Sequence, residues 1–222
     1  MTKGKTKAVV FDLWNTLAYN DTSQNPIMLL ERRFGLKIDQ YKKIERAFML
    51  QKFPSILEAA KHICECMGRE PDPALINDLL DIYDKSKIHF EFFPDVMPEL
   101  ERLRQKFKIG LVSNTDCFTM KPFFEAGHKK HFDYIAFSYE TGMLKPNPDL
   151  FLLVLEKLGV NPEEAVMVGD NLHDDVQAAL SVGMHAILIK RDPKEFKFVP
   201  SWIEKGEYEK TIGSLGELER LL

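Results

Sequence analysis

The sequence predicts an α/β protein: a doubly wound parallel sheet with an α-helical bundle inserted after its first strand. Three observations carry that expectation. Short β-branched runs, apolar on both faces, recur along the chain as buried parallel strands do. Helical patterns separate the later runs, which implies right-handed βαβ crossovers. A stretch from about residue 20 to 90 carries helical patterns and no convincing strand. At 222 residues the chain is long enough to bury roughly 70% of its unfolded surface without a staple.

The first run, Ala8-Val9-Val10-Phe11, ends at Asp12. In the stretch that follows, Asn25-Pro26 starts a helix and Gly35 stops it. Asp39 caps a second, with Tyr41, Ile44, Ala47 and Phe48 on one face. Pro54 to Gly68 forms a third, with Ile56, Ala60, Ile63 and Met67 inward. Asp72-Pro73 starts a fourth, with Ile76, Leu79, Leu80 and Tyr83 at helical spacing. Val96, Leu100, Leu103 and Phe107 then share a helix face before a strand from Ile109 to Ser113. Further strands are expected at Tyr134–Phe137, Ala165–Val168 and Ala186–Ile189. Asn147-Pro148 opens a helix that Gly159 closes, and Ser214 with Glu217 forms a capping box for a last one. The pattern gives a sheet domain of residues 1–19 and 91–222 and a helical insert of residues 20–90.

Composition narrows the function classes. A 45% hydrophobic, 29% charged chain with 16 Phe is neither disordered nor collagen-like. A net charge of −4 gives no electrostatic reason to expect nucleic acid or an acidic membrane as partner. Lys3, Lys5 and Lys7 read as a solvated tail. No apolar run has the length of a membrane span, and Asp12 interrupts the only stretch near the N-terminus that resembles a signal peptide. Cys64, Cys66 and Cys117 have no regular spacing, which suggests packing thiols in a reducing compartment. The expectation is a cytoplasmic protein, monomer or homodimer, that handles a small molecule.

In an open parallel sheet, ligands sit beyond the carboxyl ends of the strands. Those ends carry Asp12-Leu13-Trp14-Asn15-Thr16, then Ser113-Asn114-Thr115-Asp116, then Lys145-Pro146, then Gly169-Asp170-Asn171 with Asp174 and Asp175. Singly, such residues are ordinary turn and cap formers. Together they set carboxylates, a hydroxyl, an amide and a lysine along one edge. In this order they resemble the haloacid dehalogenase superfamily of hydrolases. The first motif of that family stands here as Phe11-Asp12-Leu13-Trp14-Asn15-Thr16-Leu17 and the second as Leu111-Val112-Ser113-Asn114. The third stands as Lys145-Pro146-Asn147-Pro148, and the fourth as Gly169-Asp170 with Asp175, trailed by Ala178-Ala179 and Gly183-Met184.

The resemblance covers essentially the whole chain and implies a Rossmann-like core with a helical cap after the first strand. Phe93-Pro94-Asp95-Val96 resembles the return into the core. For the phosphatase branch it implies Asp12 as nucleophile on phosphorus and a Mg²⁺ held by Asp12, Asp170 and the backbone carbonyl of Trp14, with Asp175 near the metal. Thr16, Ser113, Asn114 and Lys145 would position the phosphoryl group of a small phosphorylated substrate. Asp174 is expected on a solvated first turn.

Trp14 departs from the pattern, because most phosphatases of the family carry a second Asp there as general acid and base. Three consequences are open: a slow phosphatase that favours good leaving groups, a substitute group such as Asp21 or His173, or a reaction other than phosphate transfer. The metal-independent 2-haloacid dehalogenases carry an aromatic residue at this position, which Trp14 matches. They also replace the fourth-motif Asp by Ser, whereas Asp170 remains here; Leu172 and Phe151 stand where they have Asn and Tyr. Phosphonate hydrolysis requires a cap lysine, and Lys42, Lys43 and Lys61 are present with nothing to single one out. A catalytically weakened scaffold protein is the reading from a different functional class. His128 and His131 are expected on a solvated loop, Phe196, Phe198 and Trp202 against the sheet edge, and Glu31, Arg32 and Arg33 on an exposed helix face.

Overall fold

The computed structural model describes residues 6–19, 26–35, 41–84, 90–192 and 208–222. Lys3, Lys5, Asp21, Asn25, Asp39, Phe196, Phe198 and Trp202 lie outside the described residues, as do the side chains of Glu31 and Tyr41.

The chain opens with β1 (Ala8–Phe11), buried along its length, and a tight loop leads to the two-residue β2 (Ala18–Tyr19). Four helices follow: α1 (Pro26–Phe34), α2 (Tyr41–Met49), α3 (Ile56–Cys66) and α4 (Pro73–Asp84). The chain returns through β3 (Glu91–Phe92), antiparallel to β2. Then come α5 (Val96–Leu103), β4 (Lys108–Ser113), α6 (Lys121–Glu125), β5 (Tyr134–Phe137), α7 (Ser138–Thr141) and α8 (Pro148–Leu158). β6 (Ala165–Gly169) feeds a π-helical turn, Leu172–Gln177, that runs into α9 (Ala178–Ser181). β7 (His185–Ile189) and β8 (Thr211–Ile212) complete the strands, and a 3₁₀ turn, Leu215–Arg220, ends the chain.

Six strands form one parallel sheet in the order β5-β4-β1-β6-β7-β8. Alternation decides which side chains face which layer. Val9 and Phe11 of β1 join a core that includes Leu100 of α5, while Ala8 and Val10 join the core under α8 and α9. The order doubles back at β1, between β4 and β6. That reversal opens a crevice at the carboxyl ends of the three central strands. The α1–α4 layer has a core of its own, built on Leu30, Ile44, Phe48, Ile63 and Leu79. Phe118 and Leu144 of the sheet domain pack against it.

Local signals account for most element ends. Ser55 accepts a hydrogen bond from the Glu58 amide at the start of α3, and Asn147 from that of Asp149 at the start of α8. Gly159 closes α8 with φ 63°, a left-handed turn that glycine adopts without strain. Several expectations need correction. The helix at Val96 stops at Leu103, and Phe107 sits on the next turn, still packed on the core. The Ser214–Glu217 capping box is present but opens a 3₁₀ turn, not an α-helix. Cys64 is buried in the helical core, but Cys66 is exposed, 3.4 Å from His62. His128 and His131 are not solvated: His131 is buried, and His128 packs among Phe90, Phe92 and Phe123. Lys7 pairs with Glu164. Arg33 pairs with Asp78, and Arg32 stays exposed.

Candidate active site

β1, β4 and β6 end side by side, and the Asp12 amide donates to the Val168 carbonyl at 2.9 Å. That bond sets Asp12 beside Gly169 and Asp170. The loop after Asp12 is fixed by its own backbone. The amides of Leu17 and Ala18 donate to the Leu13 carbonyl at 2.9 and 2.8 Å, and the Asn15 amide to that of Ala18 at 2.7 Å. Asn15 takes a left-handed φ of 59°, which Asn tolerates better than most residues, and its amide nitrogen reaches Asp170 Oδ2 at 3.4 Å. Arg191 clamps the loop from the far side. Its guanidinium donates twice to the Thr16 carbonyl, at 3.1 and 2.8 Å, pairs with Asp95 and stacks on Phe93.

Lys145 is the cationic centre of the site. Its Nζ lies 2.5 Å from Asp12 Oδ1 and 2.6 Å from Asp175 Oδ1, with all three groups buried. Its backbone is held by Asn114, which accepts from the Lys145 amide at 2.8 Å and donates to its carbonyl at 3.3 Å. Burial disfavours the charged ammonium, but the two carboxylates outweigh it and push its pKa above the ordinary lysine value. Asp175 also accepts from the Asn171 amide at 3.0 Å. Burial and the charge of Asp12 raise its pKa to about 6, against the pull of Lys145. Asp170 is pushed well above the carboxylate range, first by burial, then by the charges of Asp12 and Asp175. Gly169 makes room for this packing: a Cβ there would stand 2.5 Å from Asp175 Cβ and closer still to its carboxyl group.

Carboxylate oxygens of Asp12, Asp170 and Asp175 all lie within 4.8 Å of one another. They are hard oxygen donors with one ammonium among them, a set that suits a divalent cation. Two predicted site hydroxyls, Thr16 Oγ1 and Ser113 Oγ, are buried with no hydrogen-bond partner among the described residues, and neither residue is part of the cleft lining. The Trp14 indole donates to Thr115 Oγ1 at 3.3 Å and meets Phe90 edge-on at 5.8 Å. That geometry ties the ring to the cleft wall.

The structure therefore brings Asp12, Trp14, Asn114, Lys145, Asp170 and Asp175 to one cleft. Asp174 also lines it, paired with His173 at 2.7 Å and Lys42 at 3.2 Å. It is not the freely solvated group the sequence suggested. His173 is half exposed and outside the lining, so it stands poorly to replace the acid missing at position 14. Sequence reasoning missed Glu45 and gave Asn15, a residue of the first motif, no role of its own. Glu45 flanks the apolar stripe of Ile44 and Phe48 on α2, and it is its burial there that marks it out.

The family profile described as haloacid dehalogenase-like hydrolase matches residues 6–183. The chain belongs to that family. It is thus a haloacid dehalogenase-like hydrolase. It is 36% identical over 128 residues to a glyceraldehyde 3-phosphate phosphatase of Methanopyrus kandleri, covering 56% of this chain and 55% of that protein. It is 27% identical over 228 residues to the protein of the same name from Methanothermobacter thermautotrophicus, covering 97% of this chain and 99% of the other. The chain spans about half the length of the first of these relatives and nearly all of the second. Among solved structures, a haloacid dehalogenase-family phosphatase from Thermococcus onnurineus superimposes with a TM-score of 0.60 at 27% identity, covering 97% of each chain. Among the described residues of this hydrolase no helix is long and apolar enough to cross a membrane.

Proposed function

We propose that this hydrolase is a Mg²⁺-dependent phosphatase that moves the phosphoryl group of a small phosphorylated molecule to Asp12 and then to water. One observation carries the reading: three carboxylates within 4.8 Å of one another, offset by the single ammonium of Lys145. Such a cluster repels a phosphate dianion unless a cation joins it. Asp12, Asp170 and the Trp14 carbonyl would hold the ion, with Asp175 beside it. When bound, Mg²⁺ supplies charge neutralisation between the carboxylates and the phosphate.

The chain's own residues then have distinct tasks. Lys145 occupies Asp12 Oδ1, which leaves Oδ2 for attack on phosphorus. The bond from phosphorus to the ester oxygen breaks as the aspartyl-phosphate forms, and the alkoxide departs and takes its proton from water. Water then attacks phosphorus, releasing phosphate and restoring the Asp12 carboxylate. Thr16, Ser113, Asn114 and Lys145 orient the phosphoryl oxygens. Trp14 cannot pass a proton to the departing alcohol, so esters of acidic alcohols should react fastest. Residues 20–90 act as a cap that excludes bulk water and meets the rest of the substrate. The relatives named as phosphatases support the reaction class.

Haloacid dehalogenation draws its support from the aromatic ring of Trp14. It would leave the half-buried Asp170 carboxylate beside Asp12 without a task. The two readings separate on p-nitrophenyl phosphate and 2-chloropropionate, each with Mg²⁺ and with chelator. The expected result is phosphate release that chelator and Asp12→Asn both abolish. Halide release that persists in chelator, without phosphate release, would overturn the phosphatase reading.

A further inference from the structure

The phosphatase reading gives no task to Glu45, the charged side chain that the helical layer adds to the cleft lining among the described residues. Its place follows from α2. Lys42 reaches Asp174 at 3.2 Å and holds the first turn of the helix against the rim. Glu45 stands one turn further on the same face, and its buried carboxylate lines the cleft. Ile44 and Phe48 belong to the core of the helical layer.

The cleft lining it joins is mostly acidic among the described residues. Five carboxylates line the cleft, and Lys145 is its one cation among the described residues. Lys145 is already committed to Asp12 and Asp175. After a phosphate is bound, the lining offers no cation for a second anionic group. A carboxylate at this position accepts hydrogen bonds and donates none.

From this we infer that Glu45 selects the part of the substrate beyond the phosphate, an inference that rests on the phosphatase reading. The favoured class is phosphate monoesters whose alcohol portion is uncharged or cationic and carries hydroxyl or ammonium donors. Esters with a second carboxylate or phosphate are rejected by like-charge repulsion, so the same side chain both attracts and excludes.

Three small esters test it: glycerol 3-phosphate with an uncharged remainder, phosphoethanolamine with a cationic one, and phosphoglycolate with an anionic one. The Mg²⁺-loaded enzyme is expected to favour the first two over phosphoglycolate by at least about tenfold in kcat/KM. Glu45→Gln should shrink that ratio, and Glu45→Lys should reverse it. Dissociation constants measured by calorimetry on the Asp12→Asn background should follow the same order, which separates recognition from turnover. Glu45→Gln is nearly isosteric, so it decides the matter if the lysine variant fails to fold. A ratio that is the same in the parent and both variants, from a parent that hydrolyses p-nitrophenyl phosphate, would overturn this inference alone. A folded, Mg²⁺-loaded parent that leaves p-nitrophenyl phosphate untouched would overturn the phosphatase reading and this inference with it.

Discussion

Replacing Gly169 by alanine should damage the site through a single methyl group. A Cβ at this position would stand 2.5 Å from Asp175 Cβ, whereas ordinary contact begins at 3.4 Å. Rotating the Asp175 side chain cannot relieve the clash, because its Cβ is fixed by the backbone of the π-helical turn. β6 or that turn must therefore move by roughly 1 Å. Asp175 is fully buried and held by Lys145 at 2.6 Å and the Asn171 amide at 3.0 Å. Overpacking a core typically costs about 1–3 kcal/mol, and loosening a buried ion pair adds to it, up to about 3–5 kcal/mol when one partner is lost outright. A loss of about 2–4 kcal/mol is the working figure, which for a chain of this size lowers Tm by roughly 5–15 °C. A shift of that length at the reacting groups should also cost about 100-fold in turnover. Thermal unfolding followed by circular dichroism, and phosphate release, measure the two effects. A variant that melts within about a degree of the parent and keeps its activity would refute the packing argument.

Arg191→Met removes two hydrogen bonds to the Thr16 carbonyl and the ion pair of Asp95, which keeps the Leu215 amide, so it should destabilise by about 2–4 kcal/mol in denaturant unfolding. Arg191→Lys should not restore it, because an ammonium cannot reproduce the fork. Lys42→Ala breaks an exposed pair and should change stability by about 1 kcal/mol or less, measured the same way. The pKa values of Asp170 and Asp175 are raised, so the folded chain in chelator binds more protons than the unfolded chain from about pH 4 to above pH 6. The Asp175 contribution to stability is therefore full below about pH 4 and is lost as pH rises through about 6, and that of Asp170 is likewise lost as pH rises through its own raised pKa. Adding Mg²⁺ should raise Tm more at pH 7 than at pH 5, and Asp170→Asn should abolish that difference. If the missing acid at position 14 limits turnover, Trp14→Asp should raise phosphate release from alkyl esters, as a timed phosphate assay would show.

The sheet was legible because its strands are buried on both faces, and runs such as Val9-Val10-Phe11 and Val166-Met167-Val168 read as little else. The motif residues were legible because parallel topology forces strand ends together. What stayed hidden was decided at longer range. β2, β3 and β8 are two residues long and form only because another segment lies alongside. His128 reads as a surface residue until Phe90 and Phe92 pack over it. The role of Asp174 turns on Lys42, 132 residues away in the chain. Glu45 was passed over for a different reason. A carboxylate beside an apolar stripe resembles a solvated edge position, and the crevice beneath it belongs to another layer.

The helical layer leaves the sheet domain at Tyr19 and re-enters it at Glu91, and these two residues face each other across the β2–β3 ladder. Paired strands lie about 4.8 Å apart. A two-residue hairpin turn can span that gap. In chain-topology terms the helical layer is a side excursion that starts and finishes at the same place. Lengthening it costs little in the entropy of closing the loop, about 0.6 kcal/mol for each doubling. Such a joint lets helices be lengthened, exchanged or deleted while the register of the sheet, and the carboxylates at its edge, stay where they are.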